Sequence, residues 1–358
     1  MPHTGRYSGS GRLERRPGQL TLRDLRARSG RSDLEGTYVA KRGGERPTFV
    51  AELRSRHARS RDLGARAAGR DEPREGPPML VPDARIPLNG LRQRDGRIDY
   101  RADEVEIGAA TLRNVSTRVR IDDGVLTASP LTAGAAGREL QGKISFDART
   151  DNPAGSVELR LDGLPIQDVF RGKRATPSLE ANLSGAVQAK GKGRSLHELL
   201  ASADGNVELG LGPGTIRESL AEVLGVDLRA VGLMLSKSRE MVPLRCARAT
   251  FEAHDGRLVA QEFLLDSETV TIEGTGEIDL EREAFDLRFR GRPKSVRLRL
   301  RTPLLLQGTF AEPAPRLETR PATAQGGAAL ALGALVTPVA AAVALIDPGR
   351  AKDIDCNR

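Results

Sequence analysis

The sequence predicts a mainly β protein: an elongated antiparallel sheet curled into a groove, built from repeated β-meanders, with a few short helices and an apolar C-terminal helical tail. The first observation behind this expectation is an internal repeat. Three times a glycine is followed by an apolar residue at +2, another at +7 and a second glycine at +18. The copies are Gly18 with Leu20, Leu25 and Gly36; Gly124 with Leu126, Leu131 and Gly142; and Gly256 with Leu258, Phe263 and Gly274. The second observation is strict alternation of apolar and polar residues after each copy, in TYVAK (37–41), KISFD (143–147) and EIDLE (277–281). Further alternating stretches follow: TFVAEL (48–53), SVELRL (156–161) and FDLRF (285–289). Alternation sets apolar side chains on one face of a strand. Glycines between such stretches supply the positive φ that hairpin turns and bulges need.

The elements follow in order. Residues 1–64 read as a basic N-terminal β repeat, expected to be truncated, and residues 65–90, rich in Pro, Gly and charge, as a linker. Residues 91–194 form a central β region and 195–245 a helical insert. The insert opens on SLHE, a capping box with Ser195 as N-cap and Glu198 at N3. A second helix is expected over 215–235, broken near Gly225. Residues 246–320 form the terminal β repeat. Within it SVRLRLRT (295–302) sends Val296, Leu298 and Leu300 one way and Arg297, Arg299 and Arg301 the other. The tail, 321–358, holds 19 uncharged residues at 328–346, long enough in principle to span a bilayer. Eight of them are Ala and Pro338 interrupts the run, so a kinked helix pair packed on the protein or dipped into the membrane interface is the expectation.

Composition removes several function classes. The net charge of +8 sits in residues 1–76, which carry 18 Lys+Arg against 10 Asp+Glu, while the remainder balances. A basic end suits anionic lipid head groups or nucleic acid, or is simply a solvated face. The chain has no Trp and 3% aromatics, so stacking platforms for single-stranded nucleic acid are nearly excluded and no nucleic-acid partner is expected. His3, His57, His197 and His254 are scattered, and neither GxSxG nor HExxH occurs. The Asp-Gly pairs at 95–96, 123–124, 162–163 and 255–256 are turn signals. No catalytic residue, metal or cofactor is expected, and the chain reads as no enzyme. Cys246 and Cys356 are too few and too far apart for a zinc cluster. In an oxidising compartment they could pair and tie the C-terminus back; in a reducing one they are two unrelated thiols.

What remains is the apolar face itself, which would suit acyl chains if the strands curl into a groove. Its expected lining is Leu126, Leu131, Ile144, Phe146, Val157 and Leu159, then Leu258, Phe263, Ile272, Ile278, Phe285, Leu287 and Phe289. The run from LVPDARIPLNG to DDGVLTASPL (80–131) resembles the central region of the bacterial AsmA family, as do GRSLHELLASADGNVEL (193–209), PLRCARATFEAHDGRL (243–258) and PKSVRLRLRTPLLLQGTF (293–310). The resemblance covers nearly the whole chain as distributed patterning. It implies a β-groove protein related to TamB and other bridge-like lipid transfer proteins, associated with the inner membrane and facing the periplasm. It also implies a part in outer-membrane biogenesis, regulation of protein targeting to membrane, and phospholipid as cargo. Outer-membrane proteins are the alternative partners, bound at strand edges by an assembly factor. The family's N-terminal membrane helix has no counterpart here. A Cys246–Cys356 bond closing the tail over the terminal strands is expected.

Overall fold

The structure, a computed structural model, describes residues 7–44, 46–60, 62, 79, 81, 83, 85–107, 110–135, 138–169, 179–217, 241–294, 297–298, 303–317, 346–347, 351, 353 and 356. The chain is mainly β, and its sheet is mixed and unclosed. The chain divides into two compact units. The first comprises residues 1–174, 185–206 and 253–256, and the second 175–184, 207–252 and 257–358.

In the first unit a meander runs through β1 (Tyr7–Arg16), β2 (Gln19–Ser29), β3 (Ser32–Lys41) and β4 (Thr48–Arg59). A second meander runs through β5 (Asp95–Ile107), β6 (Ala110–Asp122), β7 (Val125–Ala135), β8 (Arg138–Asp147) and β9 (Ala154–Pro165). The two meet at β4 and β5, which pair in parallel, Ala51 opposite Ile98. The expectation of a purely antiparallel sheet is corrected at this ladder. A parallel pair needs a long crossover, and the 35 residues between Arg59 and Asp95 supply one.

The remaining strands are β10 (Leu179–Glu180), β11 (Asn182–Lys192), β12 (Asp204–Leu211), β13 (Gly214–Arg217), β14 (Met241–His254), β15 (Arg257–Ser267), β16 (Val270–Asp279), β17 (Ala284–Pro293), β18 (Arg297–Leu298), β19 (Leu304–Thr309), β20 (Pro313–Leu317) and β21 (Ile346–Asp347). In the second unit β15, β16, β17, β19 and β20 form an antiparallel run, β13 pairs with β14, and β18 pairs with β21. Residues 215–217, expected in a helix, belong to β13, where Ile216 is buried against Val242 across the ladder. Apolar burial on a sheet overrides the weak helical pattern there; the rest of that expected helix, 218–235, lies outside the described residues. So do 295–296, 299–302 and most of the C-terminal tail, of which Ile346–Asp347 is strand.

Among the described residues three short helices are present: α1 (Leu88–Arg92), α2 (Ile166–Val169) and α3 (Leu196–Ala201). α1 takes the last residues of the expected linker, and α3 is the one that the capping box announced. The Glu198 amide donates to Ser195 Oγ at 3.1 Å, and the Arg194 amide donates to Glu198 Oε2 at 2.6 Å.

The repeat has a structural cause. Its first glycine closes a two-residue hairpin. Asp123 and Gly124 have φ of 45° and 77°, and Asp255 and Gly256 have 46° and 73°. Positive φ at both central positions is what a type I′ turn requires. The +2 and +7 residues are an odd number apart, so a regular strand would send them to opposite faces. In every copy the register shifts between them: Leu22 to Leu25, Ala128 to Leu131, and Val259 to Leu264. One bulge residue returns both side chains to the same face. The +18 glycine lies inside the next strand, opposite the +7 side chain, as Gly36 does to Leu25 and Gly142 to Leu131. A Cβ at Gly274 would come within 2.8 Å of the Phe263 ring. That glycine makes room for a side chain; it does not turn the chain. Of the four Asp-Gly pairs, 123–124 and 255–256 are turns. Those at 95–96 and 162–163 lie in β5 and β9, and a Cβ at Gly96 would meet the Phe49 ring.

Candidate functional site: an apolar sheet face

Cross-strand register gathers the expected lining into two sets, one in each unit. In the first unit Leu126 lies opposite Phe146, Ile144 opposite Val157, and Leu131 and Leu159 flank Gly142. The same rows continue across the earlier strands, through Leu25, Gly36, Leu53, Tyr100 and Thr117 to Leu131. In the second unit Leu258, Ile278 and Phe285 form one row, and Gly274, Phe289 and Leu304 another. Phe263 packs edge-on to Phe289 with centroids 5.1 Å apart.

Burial sorts these residues. Ile144 is 39% exposed, and Leu126, Leu131, Val157 and Leu159 are half-buried. Leu258, Phe263, Ile278 and Phe285 are half-buried too. By contrast Phe146, Ile272, Leu287 and Phe289 are 6%, 0%, 7% and 6% exposed. A side chain with no free area gains nothing from an acyl chain, so those four positions are corrected from lining to core. Leu199 of α3 explains part of this, because a Cβ at Gly155, beside Phe146, would lie 3.0 Å from it.

The opposite face of the first unit carries ion pairs. Asp99 accepts from Arg118 Nε at 2.9 Å and from Arg97 Nε at 2.7 Å. Those two guanidiniums, Arg118 first, hold its carboxyl below the ordinary carboxylate range. Among the described residues no group of His, Cys, Asp and Glu could hold a metal ion. Among them, too, no helix is long and apolar enough to cross a membrane.

In the second unit the C-terminal tail is latched by the cysteine pair expected from the sequence and by an ion-pair cluster that sequence reasoning missed. Cys246 and Cys356 are joined in a disulfide, with Cα atoms 5.9 Å apart. Beside it Lys294 Nζ lies 2.6 Å from both Asp266 and Asp353, and Arg245 lies 3.1 Å from Asp266 and 2.7 Å from Asp353. Asp266 is fully buried, which its two cations and the Thr271 hydroxyl make tolerable. Lys294 donates to Asp353 and holds that carboxyl low, with Arg245 assisting. The disulfide forms part of the wall of a cavity of about 470 Å³ that Leu211, Ala247 and Leu264 also line. For the ion pairs the available signal was Asp266 itself, a charge in the apolar stretch FLLDS.

Comparison with known proteins decides the family. Residues 4–263 match the AsmA family. The chain belongs to that family. It is 25% identical over 379 aligned residues to the AsmA family protein YhjG of Escherichia coli strain K12, an alignment covering 99% of this chain and 55% of that protein. The chain thus spans about half the length of the relative it matches. No solved structure matches it.

Proposed function

We propose that this AsmA-family chain works at the periplasmic side of the inner membrane in outer-membrane biogenesis. In this reading it holds phospholipid on the apolar face of its sheet and lets it move along. No covalent step is involved, so the chain is not an enzyme and uses no cofactor. The observation that carries the reading is the half-buried state of the face in the first unit, from Leu126 and Leu131 to Val157 and Leu159. Removing apolar area from water contributes about 25 cal/mol per Å², spread along the face without directional bonds. An acyl chain held that way can slide.

Native mass spectrometry of protein purified from membranes tests this. Co-purifying phospholipid is the expected result, and a folded, lipid-free protein counts against the reading. A second reading, an assembly factor that binds strands of outer-membrane proteins, is favoured by β1. Among the described residues that strand pairs with β2 alone and carries no proline, whereas the edge strand β20 carries Pro313 and Pro315.

A further inference from the structure

The apolar face of the first unit carries a patch of hydroxyls where alternation calls for apolar side chains. Tyr100 and Thr117 lie directly opposite one another on β5 and β6. Leu53 and Leu131 flank them in the same row. In the adjoining row Ser55 sits opposite Ala102, which sits opposite Val115. Tyr100 donates its phenolic proton to Ser55 Oγ at 3.1 Å, and Ser55 is 2% exposed. Thr117 Oγ1 is buried and has no hydrogen-bond partner.

The donor count is uneven. A hydroxyl offers one proton and two lone pairs. Ser55 accepts from Tyr100, and its own proton has no acceptor among the described side-chain contacts. Thr117 neither donates nor accepts. Buried hydroxyls left unpaired are costly, and a purely structural strand would be better served by valine at these positions. A staggered change of χ1 at Thr117 exchanges hydroxyl and methyl and presents the proton to the face.

We propose that Ser55, Tyr100 and Thr117 form a polar step that reads a carbonyl on a bound amphiphile, namely the carboxylic ester of a diacyl lipid. The proposal rests on the apolar-face reading above and deepens it. The leucines on either side take the hydrocarbon, the rotated Thr117 hydroxyl donates to the ester carbonyl, and buried Ser55 holds the Tyr100 hydroxyl beside it. An ether-linked chain has the same apolar area but lacks that acceptor. The step would thus register the lipid along the face by its one polar joint.

The test compares two phosphatidylcholines of equal chain length and identical head group, one ester-linked (dipalmitoyl) and one ether-linked (dihexadecyl). The full chain is incubated with vesicles of an equimolar mixture, and the lipids it retains are counted by native mass spectrometry. One hydrogen bond of ordinary strength gives an ester preference of about two- to tenfold. Thr117→Val should lower that ratio toward one, and Tyr100→Phe, which frees Ser55 from its partner and the ring from its anchor, should lower it in part. Retention of both lipids without preference, as when water alone satisfies the hydroxyls, overturns the proposal and spares the apolar-face reading. A preference that survives both substitutions overturns the assignment to these residues. Retention of neither lipid overturns the apolar-face reading and this proposal with it.

Discussion

The two units apply one repeat to two different surfaces. In the first, the apolar rows are interrupted by small and hydroxylated residues such as Ala51, Ala128, Ser55 and Thr117, and Ile144 remains 39% exposed. In the second, Phe263, Phe285 and Phe289 thicken the rows, and Ile272 is fully buried. The hairpin, the bulge and the +18 glycine are common to both. In the lipid-holding reading the repeat alone does not distinguish the two units. The difference lies in how far side-chain volume fills the face that the repeat creates, which makes the first unit the better candidate for holding lipid.

The largest expected effect tests that contrast directly. Leu287→Asp puts a charge at a position 7% exposed in the second unit and should cost more than about 4 kcal/mol. Ile144→Asp, at a position 39% exposed in the first, should stay within about 1 kcal/mol. Urea unfolding followed by hydrogen exchange can assign each change to its unit. Equal costs at the two sites would dissolve the distinction between a packed face and an open one.

The disulfide sharpens the comparison from the other side, because it belongs to the second unit alone. In the chain-entropy account, a crosslink spanning 110 residues restricts the unfolded chain by about 4–5 kcal/mol. Reduction should therefore lower the unfolding midpoint of the second unit and leave that of the first in place. The same midpoint before and after reduction in the second unit would show that the ion-pair cluster alone holds the latch.

How much of this was legible depends on which physical signal each feature leaves in the sequence. Alternation announced the strands, Asp123-Gly124 and Asp255-Gly256 their turns, and Ser195 with Glu198 the helix α3. The odd +2 to +7 spacing already contained the bulge, since no regular strand can put both residues on one face. Ser55, Tyr100 and Thr117 were visible as polar residues at apolar-parity positions of RSRH, IDYRA and STRV, but only register shows that they adjoin. The parallel ladder between β4 and β5 left no local trace, because either direction alternates alike. Burial of Ile272 and Leu287 was equally hidden. Alternation says which face a side chain takes, and only the assembled fold says what covers it.

The smallest expected effect concerns the ionic half of the latch. Lys294 Nζ donates to Asp353 at 2.6 Å and Arg245 lies close by, so the folded pKa of Asp353 is depressed. A depressed carboxylate contributes stability that is fully present above its unfolded pKa, about 3.9, and is lost as pH falls through the folded value. The latch should then be insensitive between pH 7 and pH 5 and lose its ionic anchor in more acid solution, while the disulfide persists. Asp353→Asn removes the carboxylate at every pH. Wild type and variant should differ in the melting of the second unit at pH 7 and pH 5, with the gap closing toward pH 3. A gap that stays constant across that range would mean that Asp353 acts through packing or neutral hydrogen bonding, and the tail would then be held by its sulfur bridge and by the Ala351 amide donating to the Pro293 carbonyl.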